Sequence, residues 1–387
     1  MDSIPDIHTK LPRVGTSIFA SMGALANTHN ALNLSQGFPD FPIDSRLMDA
    51  LTNATKGGFN QYSPMPGLPK LRSAISKSMH TIYSADFDPD KEITVVAGAT
   101  EGLFSAFQAF IKEEDEVVLF TPAYDSYAPA IELAGGKPVF VQLQEPHFKI
   151  DWQEVKRVVS RKTRAIVINS PHNPTGSLFS QSDLDALKKV VKGTEILIFS
   201  DEVYDRMVFD GNKHLCLAAD PQLKNRCISF YSFGKTYHTT GWKCGFVLAN
   251  SAITEELRKI HQFVVFAVNT PTQEALANYI LEFGLAEDLS GFYQAKRDRF
   301  LAGLKGSAWG FIPTPSTYFQ LLDFSKISNL SDVDFANHLV KEEKIATIPI
   351  SGFYHRPPEN QYLLRVCFAK KEETIDKAVE MLQNIRA

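Results

Sequence analysis

Cysteine is scarce in this chain. Cys216, Cys227, Cys244 and Cys367 are the only four among 387 residues, and they are scattered. Such thiols build no disulfide framework and show no metal-ligand spacing, so no metal site is expected. They suit buried thiols in a reducing compartment, and a cytoplasmic location is expected. A basic surplus is also missing: lysine and arginine number 40 against 44 aspartate and glutamate, a net charge of −4. A nucleic-acid binder carries excess positive charge, so no nucleic-acid partner is expected. No apolar run approaches the length of a bilayer span, and no membrane association is expected. Phe263–Val268 is a short run of the kind found in buried helices. The opening residues MDSIPDIHTKLPRV lack a charged start followed by an apolar block, so no signal peptide is expected. Low-complexity segments, internal repeats and obvious linkers are absent as well.

What is present is an ordinary globular composition, 44% hydrophobic and 22% charged, in a chain long enough for two cores. The middle of the chain alternates short apolar runs with helical patterns. Candidate strands are Ile93–Ala97, Val117–Phe120, Pro138–Leu143, Ala165–Asn169, Ile196–Ser200, Cys227–Tyr231 and Gly245–Ala249. Candidate helices between them include Glu101–Ile111, Asp151–Val159 and Gln181–Val191. Runs such as AIVIN and ILIFS are apolar throughout, which marks strands buried on both faces. Strand alternating with helix predicts an α/β fold with a mostly parallel sheet. The last third reads differently. Long helical patterns lead into the strand-like FIPTPSTYFQLLDF, a helix near Asp332–Glu342, strands IATIPI and YLLRVCFA, and a closing helix near Glu372–Ile385. This predicts a smaller α+β domain of residues 287–387, joined by the N-terminal segment 1–43, beside a large domain of residues 44–286.

Ligands of doubly wound sheets sit beyond the C-terminal ends of the strands. After ITVVA comes Gly98-Ala99-Thr100, opening a helix, and after VVLF comes Tyr124 within TPAY. After AIVI comes NSPHNPTG with Asn173, after ILIFS come Asp201 and Tyr204, and after ISFYS comes Lys235. Five strand ends thus offer a helix start for a phosphate, an aromatic face, an amide, a carboxylate beside a phenol, and a lysine. Together they suit one flat, anionic, electron-withdrawing cofactor. Lysine can form a Schiff base with an aldehyde. Asp201 can keep a pyridine nitrogen protonated. Asn173 and Tyr204 can donate to a phenolic oxygen on the ring.

SFGKTYHTTGWKCG, SPHNPTG and SDEVYDRMVFDG resemble the cofactor motifs of class I aminotransferases dependent on pyridoxal 5′-phosphate, of fold type I. The intervals from Asn173 to Asp201 and on to Lys235 match that family. The resemblance runs from NLSQGFPDFP to LLRVCFAKKEET, nearly the whole chain. It implies Lys235, Asp201 and Tyr204 as catalytic residues. It implies a cofactor site of Gly98, Ala99, Thr100, Tyr124, Asn173, Asp201, Tyr204, Ser232, Lys235, Lys243 and Tyr62. Tyr62 would reach the phosphate of a second subunit, implying a homodimer with shared sites. For the substrate, Arg365 would grip the α-carboxylate, helped by Gly37 and Asn173. Ile18, Phe19 and Phe266 are candidates for the side-chain pocket. Gly234 and Lys243 stand where many members carry serine and arginine. Both departures recur in the branch holding bacterial methionine and kynurenine/glutamine aminotransferases. Ser316 also departs, from a frequent glycine.

Taken singly, each residue has a blander reading. A lysine after a strand is ordinarily a surface charge, Asp201 could cap a turn, and NPTG is a common turn. Tyr124 could be a core aromatic, and His172 and His238 read as structural. The expected reaction is transfer of an amino group from methionine, or from an aromatic amino acid, histidine or kynurenine, to a 2-oxo acid by a ping-pong scheme. A β-lyase acting on cysteine conjugates is the alternative on the same fold. A non-enzymatic ligand sensor is a further alternative, disfavoured by the acidic balance and the early start of the enzyme pattern.

Overall fold

The computed structural model describes residues 8–12, 14–285 and 288–386. Residues 1–7 and 13 of the stretch read for a signal peptide lie outside the described residues, as do 286, 287 and 387 of the expected domain ranges.

Twelve strands occur among the described residues. In chain order, β1 is Leu32–Asn33, β2 Ile93–Val96, β3 Glu116–Thr121, β4 Lys137–Gln142, β5 Thr163–Asn169 and β6 Leu197–Asp201. Then follow β7 Cys227–Ser232, β8 Gly245–Leu248, β9 Phe319–Asp323, β10 Ile345–Ala346, β11 Ile348–Pro349 and β12 Leu363–Cys367. Seven of them form the central sheet in the order β2-β8-β7-β6-β5-β3-β4. All run parallel except β8, which is antiparallel to both β7 and β2. The runs AIVIN and ILIFS become β5 and β6, buried along their length as a sheet covered on both faces requires.

The reversal at β8 positions the site. After β7 the chain turns through Phe233–Thr236 and comes straight back, so that Ser232 pairs with Gly245 and Val96 with Gly245 across the next strand. The residues after β2, the turn carrying Lys235 and the approach to β8 therefore meet at one edge of the sheet. Local signals set the helix starts. Gln181–Val191 opens on a capping box in which Ser180 and Asp183 each satisfy the other's backbone N–H. Asn250 and Asn269 cap Ser251–Val264 and Thr270–Phe283 by accepting from Ile253 N–H and Thr272 N–H.

The second sheet is antiparallel, in the order β11-β12-β9. FIPTPSTYFQLLDF forms a strand only over Phe319–Asp323, because Pro313 and Pro315 have no N–H to give a ladder. IATIPI divides at Thr347. Ile345–Ala346 pairs in parallel with β1, whereas Ile348–Pro349 pairs with β12. The N-terminal segment is thereby joined to the C-terminal part. Cys367 N–H donates to the Leu34 carbonyl, Lys370 to the Phe38 carbonyl, and Asp40 accepts from Lys371 N–H and Thr374.

The reading of Phe263–Val268 as buried is corrected. Phe263 is 86% exposed, and Val264 and Phe266 are also exposed. The helix ends at Val264 and Phe266 adopts a positive φ of 67°, which leaves Phe263, Val264 and Phe266 outside while Val268 is buried. No helix of the described residues is long and apolar enough to cross a membrane.

Ser316 fastens the two sheets. Its buried hydroxyl donates to the Gly176 carbonyl at 2.6 Å. Gly176 has a φ of +72°, and a Cβ there would lie 1.8 Å from Thr314 Oγ1. Gly176→Ala should therefore cost about 2–4 kcal/mol, from left-handed strain plus overpacking. Chemical denaturation of both proteins measures this, and equal stabilities would count against the contact.

Candidate active site

Each predicted site residue on β5, β6 and β7 lies where its strand ends. Asn169 and Asp201 are register partners at the ends of β5 and β6. The Asn169 amide donates to the Asp201 carbonyl and accepts from Asn173 N–H, which fixes the loop that carries Asn173. Asp201 is buried. One of its carboxylate oxygens accepts from Tyr127 at 2.5 Å and the other from Val203 N–H at 3.3 Å. Burial pushes its carboxyl up to about 6, against the pull of the Tyr127 donor. Among the described residues it forms no salt bridge.

Glu202, the next residue, is also buried but has five donors. One oxygen accepts from Ser200, Ser229 and Leu217 N–H, the other from His214 and Tyr231. Burial alone would raise its carboxyl, yet the donors, His214 first, hold it below the usual range.

Lys235 reaches two oxygens, the Tyr318 hydroxyl at 2.9 Å and the Gly37 carbonyl at 3.3 Å. Its Nζ lies 5.4 Å from the centre of the Tyr204 ring. Burial pulls its amine down to about 8. Gly234 packs against the turn after it, where a Cβ would lie 3.0 Å from Thr240 Cα and 3.2 Å from Thr239 O. A serine there would push backbone, which explains this departure.

Gly98 caps the helix Ala99–Phe110, and a Cβ on it would lie 3.3 Å from Lys243 Nζ. An ammonium thus stands beside the positive end of a helix dipole, an arrangement that an anion between them relieves. Thr100 is exposed in the first turn of that helix, and Ser232 closes β7. Tyr124 is half-buried, edge-on to Tyr127 at 5.7 Å and close to Phe19 at 6.5 Å.

Arg365, on β12, is buried. It donates to Asn173 Oδ1 and to the Ser35 carbonyl, both at 2.8 Å, and its Nε has no acceptor. Its guanidinium lies 3.9 Å from the Phe319 ring centre, with Phe19 at 5.2 Å and Phe353 at 5.1 Å. Burial lowers it to about 10. Among the described residues it has no carboxylate partner. Gly37 packs on the same Phe319 ring, where a Cβ would come within 2.7 Å.

Tyr62 is set apart from this cluster. It is 81% exposed and stands edge-on to Phe266 at 5.1 Å. Ile18 packs against Gly352. His172 bonds Thr175 and is lowered by burial to about 3, and His238 sits among Phe41, Phe292 and Tyr293. The described residues hold no cluster of potential metal ligands.

Three contacts escape a reading of strand ends: Tyr127 on Asp201, Tyr318 on Lys235, and the ring cage of Arg365. Tyr127 stands only three residues beyond Tyr124 in PAYDSYAPAI, so that motif was its signal. Tyr318 and Phe319 belong to a distant segment that no pattern connects to Lys235.

A family model for aminotransferase class I and II matches residues 29–382. The chain belongs to this family. It is 45% identical to the methionine aminotransferase of Escherichia coli K12, over 98% of both chains. It is 34% identical to the kynurenine–oxoglutarate transaminase of Dictyostelium discoideum, over 96% of this chain and 94% of that one. An E. coli crystal structure reported with a methionine aminotransferase function superposes with a TM-score of 0.95 at 45% identity, over 99% of this chain and all of that one. The fold is thus type I, and the enzyme is a transaminase that uses pyridoxal 5′-phosphate. The residues fit that group: a buried carboxylate with no salt bridge among the described residues suits a ring N–H, and the paired positive ends at Gly98 and Lys243 suit a phosphate.

Removing Glu202 tests the frame behind Asp201. Glu202→Ala strands five donors and should lower stability by about 3–5 kcal/mol in urea unfolding. Because the native carboxyl is depressed, its contribution is present at neutral pH and lost on acidification. The difference between wild type and variant should shrink as the pH falls below about 4.

Proposed function

We propose that this aminotransferase moves the amino group of methionine, and of aromatic amino acids, histidine or kynurenine, to a 2-oxo acid in a ping-pong cycle. The observation that carries this reading is Arg365, a buried guanidinium with an unpaired Nε and, among the described residues, no salt bridge, enclosed by Phe19, Phe319 and Phe353. A substrate α-carboxylate completes its hydrogen bonds, and the rings offer an apolar side chain its surroundings. The names of the E. coli and Dictyostelium relatives agree with that substrate range.

When bound, pyridoxal 5′-phosphate supplies an electron sink for negative charge at the substrate α-carbon. In this proposal Asp201 holds a proton at the ring nitrogen, oriented by Tyr127. Asn173 and Tyr204 donate to the ring's phenolic oxygen. Tyr124 lies against its face. The amides of Gly98, Ala99 and Thr100, with Ser232 and Lys243, hold the phosphate. Arg365, Asn173 and Gly37 fix the substrate carboxylate. Lys235 bonds the cofactor at rest and, once released, takes the α-proton and returns it. An amine held near 8 is about one-tenth neutral at pH 7, enough to act as a base.

We further propose a division into a large domain, 44–286, and a small one, 1–43 with 287–387. The separate sheets and the pairing of β1 with β10 support it. We propose a homodimer in which Tyr62 serves the partner's phosphate. The exposed rings of Tyr62 and Phe266, edge-on at 5.1 Å, support an apolar contact there. A cytoplasmic location accords with four free, buried cysteines.

An absorbance titration with a panel of amino acids tests the reading. Methionine should convert the visible cofactor band to the pyridoxamine band; release of ammonia without an acceptor would instead indicate lyase chemistry. Arg365→Leu should raise KM for methionine about 100-fold, from the loss of a charge-assisted pair. An unchanged KM would remove Arg365 from substrate binding.

A further inference from the structure

The ε-nitrogen of Lys235 rests on two oxygens that are themselves joined. Tyr318 Oη lies 2.9 Å from it and the Gly37 carbonyl 3.3 Å, and Tyr318 donates to that carbonyl at 2.6 Å. Tyr318 is fully buried, edge-on to Tyr204 at 5.3 Å and tilted against Tyr293 at 5.6 Å. Burial holds its phenol well above the usual tyrosine range, so it keeps its proton. The Gly37 carbonyl can only accept, so Tyr318 gives its proton there, and the hydroxyl's lone pairs are left for Lys235 and for the Tyr204 hydroxyl that also hydrogen-bonds it. Two acceptors hold an ammonium more strongly than a neutral amine, because charge-assisted bonds are about twice as strong.

We propose that Tyr318, together with the Gly37 carbonyl, is the seat that the ε-ammonium of Lys235 occupies whenever the lysine is not bonded to the cofactor, which makes Tyr318 a positioning residue of the transamination cycle. The inference rests on Lys235 being the cofactor lysine. The seat keeps a long, flexible side chain aimed into the cleft between transfers. It also shares the proton that Lys235 has taken from the α-carbon: the C–H bond breaks, an N–H bond forms, and that proton stays on nitrogen until it is returned. The seat links three separate segments, with Gly37 from the N-terminal segment, Lys235 from the turn after β7 and Tyr318 from just before β9. The ionisable groups around it are Asp201 and Tyr204 at and after β6, Lys243 before β8, Arg365 and Cys367 on β12, and Tyr293 on the helix Leu289–Leu304. Burial opposes the ammonium most, followed by Arg365 and Lys243, whereas Cys367 and then Asp201 favour it.

The test strips cofactor from wild type, Tyr318→Phe, Tyr318→Met and Lys235→Ala, then adds pyridoxal 5′-phosphate between pH 6 and 10. The rate at which the absorbance of lysine-bound cofactor appears is recorded. Loss of one acceptor destabilises the ammonium, so the pH midpoint for joining should fall by about one unit in both Tyr318 variants. The variants should then join faster than wild type on the acid side, which a merely damaged fold would not do. Their kcat should fall about tenfold, with KM for methionine changed less than about twofold. An unchanged midpoint in either folded variant, or joining slowed equally at every pH, would overturn the seat. If Lys235→Ala forms the same band, the assignment of the lysine fails instead, whatever the Tyr318 variants do.

Discussion

A guanidinium sealed inside a protein without a hydrogen-bonded carboxylate is among the costlier things a fold can hold. Arg365 is held that way, and much of the site is arranged to support it. Its two hydrogen-bonded acceptors come from opposite ends of the chain's organisation, the Ser35 carbonyl of the N-terminal segment and the Asn173 amide beyond β5. Each acceptor is itself fixed. The Asn33 side chain accepts from Ser35 and Gln36 N–H and so shapes the turn that aims the carbonyl. Asn169 pins the backbone of Asn173. Three phenyl rings then cover the cation, and their negative faces recover part of what was lost on leaving water.

The neighbouring acids Asp201 and Glu202 divide two tasks by the pleat of one strand. Successive side chains at a strand end point to opposite faces. Asp201 is left with a phenol and one backbone donor, so burial raises it. Glu202 is surrounded by five donors and is lowered. One carboxylate stays available for a cationic ring atom, while its neighbour is consumed in tying β6 to β7 and to the segment carrying His214 and Leu217.

The sheet was legible in the sequence because strands buried on both faces are written as unbroken apolar runs, and all seven candidates fall within one or two residues of the observed ones. Strand ends then gave the neighbourhood of Lys235, Asp201 and Asn173 directly. Four helices, Ile18–Thr28, Ser45–Lys56, Pro69–Tyr83 and Tyr127–Leu133, were not singled out. Pro69 and Pro129 both fall in first turns, where no N–H is missed. Tyr318 and Ser316 were illegible for a different reason. Their roles depend on contacts with Gly37 and Gly176, far away in sequence, and no local periodicity encodes such a pairing.

The parallel pairing of β1 with β10 joins residues about 300 positions apart. A strand of that kind has no partner while the chain is being synthesised. The central sheet, from Ile93 to Leu248, can close as soon as its own residues leave the ribosome. Leu32 and Asn33, made first, must wait unpaired until Ile345 and Ala346 arrive. Because Ser35 and Gly37 follow directly on that strand, the grip on Arg365 and the carbonyl beneath Lys235 are assembled last, so the enzyme acquires its substrate site only at the close of its own biosynthesis.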